Sequence, residues 1–212
     1  MTTIAVLGGT GFAGSSIVRE AAARGHDVRS LSRSLPVERI EGVRYETGSV
    51  ADAAGFLEGA DVVIGAVSAR GDTAGTLREA YDRLANAAAD SGARLIIVGG
   101  YNSLRPSAGA PRFAETKTLP PAFAAEALEM NAVLESLLSS PEELDWLFVS
   151  PAAAFGAYSP QLEPRGSYRF GDDVALFDEN EKSAISGPDF ALAIVDEIEN
   201  PTRRRAHASV AY

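Results

Sequence analysis

Gly8-Gly9-Thr10-Gly11-Phe12-Ala13-Gly14 stands directly after the apolar run Ile4–Leu7 and opens the helical-period run Phe12–Ala23, and its reading decides the fold. Strand, glycine turn and helix in that register make the first half of a βα unit. Gly9, Gly11 and Gly14 have the spacing of a dinucleotide-binding turn, and Gly8, Gly11 and Gly14 fit its wider variant. The early glycines permit the turn and a close backbone approach to pyrophosphate, and Gly14 lets the helix lie against the strand. Amides exposed at the helix start, together with the helix dipole, supply positive potential for a diphosphate. Gly8, Gly9, Thr10, Gly11, Phe12, Ala13 and Gly14 are therefore assigned to cofactor binding, with a tight turn that holds no ligand as the alternative.

Outward from this turn, short apolar runs alternate with helical-period segments. Strands are expected at Val28–Leu31, Val43–Glu46, Asp61–Gly65, Arg94–Val98, Asp145–Val149 and Ala206–Ala211. Helices are expected at Ala51–Leu57, Thr76–Ala89, Ala122–Leu138 and from Ser186 to about Glu199, with Pro120 and Pro121 marking the start of the third. Strands apolar on both faces belong to a parallel sheet covered by helices. The fold class is α/β, a Rossmann-like doubly wound sheet over residues 1–212 as a single domain. The segment from Ser167, around Gly171-Asp172-Asp173 and Glu179-Asn180-Glu181, predicts a small antiparallel hairpin before the last helix. Gly99–Pro121 is long, irregular and proline-rich, and is placed over a ligand cleft.

The 212 residues carry 19 basic and 29 acidic side chains, a net charge of −10, which disfavours contact with a phosphate backbone and argues against nucleic acid as a partner. With no cysteine, thiolate metal sites and cysteine nucleophiles are excluded. His26 and His207 lie far apart at no ligand spacing, so no metal site is expected. No stretch approaches the length of a membrane span, and the start lacks a targeting pattern, so a cytoplasmic protein without membrane partners is expected.

The second strand ends without the acidic residue that would hold a ribose 2′-hydroxyl. It runs instead into Ser32-Arg33-Ser34, where Arg33 can pair with a 2′-phosphate and the serines can donate to it, so NADP is preferred over NAD. Ser49 and Val50, after the third strand, are candidates for the adenine pocket. Ala66, Val67 and Ser68 after the fourth strand, Gly100 after the fifth and Pro151 after the sixth should line the cleft at the carboxyl ends of the strands.

Many short-chain dehydrogenases place a tyrosine four residues before a lysine, as general acid or base. Here Phe113 precedes Lys117 and Asp178 precedes Lys182 at that spacing, so the pair is absent. Hydride transfer to a flavin or quinone, which needs little proton assistance, survives that loss better than alcohol oxidation. Ser103 and Tyr101 are the candidate catalytic proton donors near the nicotinamide position. Trp146 reads as core, Asp172 and Asp173 as a turn, and His207 as packed or exposed.

GGTGFAG, EGADVVIGA at 58–66, DWLFVSPAA at 145–153, GSYRFGDD at 166–173 and the tail FALAIVDEIENP with its closing Val210-Ala211-Tyr212 resemble the NAD(P)H-binding atypical short-chain dehydrogenases/reductases. The nearest group is the NADH-flavin reductase-like proteins, akin to biliverdin reductase B and more distantly to NmrA-like proteins. The resemblance implies a Rossmann-like sheet, a nicotinamide cofactor and FMN, FAD or another conjugated small molecule as acceptor, in a monomer or homodimer. Where related sequences often carry Gly-Gly-Ala-Gly-Ser after the fifth strand, this chain has Gly99-Gly100-Tyr101-Asn102-Ser103, so the serine is kept and bulk is added beside the acceptor. The competing readings are an NmrA-like redox sensor without turnover and an epimerase or dehydratase on a nucleotide-sugar. The last would need the missing tyrosine–lysine pair and a larger C-terminal part.

Overall fold

Apolar side chains on alternate strand residues face opposite ways, and two helical layers cover them. A computed structural model describes residues 1–116, 119 and 121–212; Lys117 and Pro120, named above, lie outside the described residues. The sheet has eight strands: β1 (Thr3–Leu7), β2 (Asp27–Ser32), β3 (Arg44–Thr47), β4 (Val62–Gly65), β5 (Arg94–Val98), β6 (Trp146–Pro151), β7 (Arg169–Gly171) and β8 (Ala206–Ala211). Their order is β3-β2-β1-β4-β5-β6-β8-β7, with every pair parallel except β7 with β8. Four helices pack on it: α1 (Phe12–Ala23), α2 (Leu77–Ser91), α3 (Pro121–Leu138) and α4 (Gly187–Glu199).

Ile4, Val6, Ile64, Ile96 and Val149 form one core with Ile17 and Val18 of α1 and Phe190 and Ile194 of α4. Ala5, Leu7, Val63, Leu95, Ile97, Trp146 and Phe148 form the other, with Leu77, Tyr81 and Leu84 of α2 and Val133 and Leu134 of α3. Helix ends follow local chemistry: Gly92, in the left-handed region at φ 72°, stops α2, and the Ser186 hydroxyl caps α4 by accepting from the Asp189 amide. The expected helix at Ala51–Leu57 is a tighter 3-10 helix over Val50–Leu57.

The small antiparallel pair at the C-terminal end forms between β7 and β8, with Phe170 opposite Val210. The stretch after β7, expected to return as the partner strand, turns instead. The Asp178 carboxylate accepts from the amides of Asn180 and Lys182, and Glu181 adopts φ 59°. Single bridges, Val174 with Arg105 and Ala184 with Ala154, hold this stretch to other loops. The open edge of β8 offers β7 a longer apolar partner than the acidic run 178–181 could.

β1 and β4 are neighbours whose following segments leave toward opposite layers, so the loops after them part and open a crevice at the carboxyl edge of the sheet. Among the described residues no helix is long and apolar enough to cross a membrane.

Candidate functional site

The glycine turn is built for close approach. Gly8 takes φ 82°, and a Cβ there would stand 2.6 Å from the Ala66 carbonyl oxygen of the neighbouring loop. A Cβ on Gly9 would meet Ser30 Oγ at 2.3 Å, and one on Gly14 would meet the Gly8 carbonyl oxygen at 2.2 Å. Gly11, the residue before α1, has no side chain to cap the helix, and its first turn holds no acidic residue. The first backbone bond back into the helix runs from Ser15 N to Gly11 O at 2.8 Å, so the amides of Phe12, Ala13 and Gly14 precede the helical ladder. Uncapped amides with no competing carboxylate fit an anionic diphosphate.

A cleft of about 530 Å³ begins at this turn and runs along the carboxyl ends of β4, β5 and β6. It brings together Gly11, Phe12, Ala13, Ala66, Val67, Ser68, Gly100, Tyr101, Ser103 and Pro151 of the sequence-derived set. Gly8, Gly9, Thr10 and Gly14 are not part of its lining. Thr10 N donates to Ser32 Oγ at 3.1 Å, which ties the turn to the end of β2. Arg33 and Ser34 follow on the surface, and Arg33 Nη1 is 3.2 Å from Asp72 Oδ2. Ser49 Oγ accepts from the Ala51 amide and so caps the 3-10 helix that starts at Val50, outside the cleft. The expected irregular stretch contributes Tyr101, Asn102, Ser103 and Leu119 to the lining.

Tyr81 of α2 fixes the loop after β4: its hydroxyl accepts from Val67 N at 3.1 Å and donates to Val67 O at 3.0 Å. Gly65 makes this position available, since a Cβ there would stand 2.3 Å from the Tyr81 ring. Burial raises the Tyr81 phenol, so the ring stays neutral and the clamp intact.

The loop after β5 is held from beneath by a buried polar chain. Arg112 Nη1 donates to the Ser103 carbonyl at 2.9 Å and to His207 Nδ1 at 3.0 Å. An arginine only donates, so Nδ1 accepts and the imidazole proton sits on Nε2. Nε2–H then donates to Ser150 Oγ at 2.9 Å, and Ser150 donates to the Gly100 carbonyl at 2.9 Å. Burial, followed by the Arg112 charge, pushes the His207 imidazole down to about 3, so it is neutral here. His207 is packed, as expected of it, but it is also a hydrogen-bonding link. Asp173 is more than a turn residue: it accepts from Arg105 Nε at 2.8 Å and lies 3.6 Å from Arg112.

Two donors face no protein acceptor or stay protonated. Ser103 is 1% exposed and its Oγ has no hydrogen-bond partner among the described residues. Tyr101 stacks on Phe113 with centroids 5.0 Å apart at 16°, and burial raises its phenol above 10, which leaves it a neutral donor. Among the described residues no group of three His, Asp or Glu side chains is placed to hold a metal ion.

The NAD(P)H-binding family matches residues 8–201. The uncharacterized protein YwnB of Bacillus subtilis is 30% identical over 210 residues, which are 98% of this chain and 97% of that one. A Streptococcus pneumoniae structure provisionally named an NADH-flavin reductase superposes with a TM-score of 0.88 at 29% identity, covering 100% of this chain and 99% of that one. A Burkholderia pseudomallei protein, provisionally described as exported, gives a TM-score of 0.86 at 34% identity over 100% of both chains.

Proposed function

The chain belongs to the NAD(P)H-binding family, among the atypical short-chain dehydrogenases/reductases, and from that premise we propose that residues 1–212 form one NADPH-dependent reductase of flavin or a similar conjugated acceptor. The observation that carries the reading is one continuous cleft, lined at one end by the uncapped start of α1 and farther along by Ser103 with its unpartnered hydroxyl. The similarity to the Streptococcus protein supports a flavin as acceptor.

Gly8–Gly14 would hold the diphosphate, Ser32, Arg33 and Ser34 the 2′-phosphate, Ser49 and Val50 the adenine, and Ala66–Ser68, Gly100 and Pro151 the nicotinamide end. When bound, a reduced nicotinamide supplies a hydride. The chain's own contribution is chiefly geometric: Tyr81 fixes the Val67 loop, Arg112 and Ser150 fix the 100–103 loop, and both loops line the cleft. The Ser103 hydroxyl and the neutral Tyr101 phenol can donate to negative charge that develops on the acceptor, and neither has to ionise beforehand.

The test is an anaerobic single-turnover experiment that saturates the protein with NADPH and follows its absorbance and fluorescence as FMN is added. Protein-dependent oxidation is expected. Saturable NADPH binding with no oxidation would replace this reading with that of a dinucleotide sensor, which the lack of a tyrosine before Lys182 or Lys117 also favours.

A further inference from the structure

The lining of the cleft includes four side chains from three segments that form a cluster of their own. Arg70 follows β4, Phe123 and Glu126 stand on α3, and Tyr158 lies in the loop after β6. Arg70 Nε donates to Glu126 Oε2 at 2.6 Å, and the guanidinium lies 5.2 Å from the Tyr158 ring centroid. The Tyr158 and Phe123 rings are 6.2 Å apart at 37°, and they are 64% and 42% exposed. The Glu126 bond uses Nε, and the guanidinium interacts with the Tyr158 side chain as well. Among the described residues lining the cleft, Arg70 is the one cation and Glu126 the one anion.

A half-exposed ion pair of this kind contributes little to folding, so folding alone does not account for an arginine held in this pose. The two exposed rings in the cleft lining likewise offer flat apolar faces that no protein group covers fully. What the cluster provides is a stacking surface beside a guanidinium with more N–H donors than Glu126 and Tyr158 engage, so donors remain for an anion.

We infer that Arg70, with Tyr158 and Phe123, forms an acceptor subsite that selects a planar conjugated molecule carrying a phosphate or carboxylate arm. The inference rests on the reductase reading of the cleft. Glu126 holds the guanidinium by Nε and leaves further N–H donors to the arm, while the aromatic pair takes the ring. A neutral acceptor gains the stacking and forgoes the ion pair, so the subsite discriminates by charge.

FMN and riboflavin share one ring system and differ by a phosphate, which makes them the probe pair. Both are to be compared on the full chain in two ways: kcat/KM with NADPH, and affinity for the NADP-saturated protein from quenching of flavin fluorescence. Wild type should favour FMN, Arg70→Ala should cut the FMN-to-riboflavin ratio about tenfold, Arg70→Lys should restore part of it, and Glu126→Gln should raise it. A flavin ending in a carboxylate replaces the phosphate in a third arm; preference for either anion supports the subsite, and the larger ratio identifies the arm. A wild-type ratio near one overturns the proposal. So does Arg70→Ala weakening both flavins in proportion, or raising KM for NADPH in place of that for FMN. If fluorescence shows an Arg70-dependent ratio and neither flavin is reduced, the subsite stands and the reductase reading falls. Turnover with an indifferent ratio has the opposite meaning.

Discussion

At the scale of single residues, the proposed preference for NADPH over NADH rests on Arg33. It was legible because it sits where β2 ends, but its partner Asp72, 39 positions later in a short 3-10 turn, was not. The pair is exposed on both sides, 70% and 89%, so water screens it and it amounts to at most about 1 kcal/mol. On the proposed reading a 2′-phosphate bearing nearly two charges would displace Asp72 from the guanidinium, whereas NADH would offer only a hydroxyl there. Arg33→Ala should lower the NADPH-over-NADH affinity ratio by about tenfold, and Asp72→Asn should raise it a few-fold by removing the competitor. Fluorescence titrations with both nucleotides measure that ratio, and an unchanged value in Arg33→Ala would take the 2′-phosphate away from this residue.

At the scale of elements, the start of α1 separates binding from folding. Gly11 has extended backbone, φ −75° and ψ 173°, which suits a capping side chain, and its missing Cβ would come no closer than 3.2 Å to the Gly8 carbonyl. Gly11→Asp should therefore cap α1 about as well as glycine does or a few tenths of a kcal/mol better, while its carboxylate occupies the amides proposed to hold pyrophosphate. NADPH affinity should drop at least 100-fold with an unchanged thermal midpoint, and tight binding in that variant would place the diphosphate elsewhere. The strands and helices were readable because period and turn residues are local properties: α1 and β8 fall on Phe12–Ala23 and Ala206–Ala211, as the sequence pattern has them. Pairings across the chain were not. β7 finds β8 some 35 residues on, and Arg112 meets His207 95 positions away, with no spacing to announce either. The same holds for Tyr81, which reads as one more apolar residue on the stripe of α2 until Gly65 opens room for its ring against Val67. The glycine turn was legible for the opposite reason, since strand, turn and helix all lie within one short stretch.

At the scale of the whole molecule, buried ionisable groups give folding stability a pH dependence in two separate windows. Burial pushes the carboxyls of Asp189 and Glu197 up, but the hydrogen bonds they accept outweigh it and hold both below their ordinary values. For Asp189 these come from Tyr212, Ser186 and the amides of Arg165 and Gly166; for Glu197, from Thr202, Arg94 and Arg203. Folded carboxyls held low contribute stability that is complete above the unfolded value near 4 and is lost as pH falls through the lower folded one. His207 acts earlier. The unfolded imidazole takes a proton near pH 6.5, whereas the folded one, buried beside Arg112 with Arg105 and Asp173 close by, does not until about 3. Between those values the unfolded chain binds more protons than the folded one, so stability rises with pH there and falls on acidification. Urea unfolding should show a loss of about 1 kcal/mol between pH 7 and 5.5, before either carboxylate begins to titrate. His207→Gln should start from a lower stability, because the link between Arg112 and Ser150 is weakened, and yet lose much less over that interval. Equal losses in the two proteins would mean that another group sets the early acid sensitivity and that His207 is not held neutral by its surroundings.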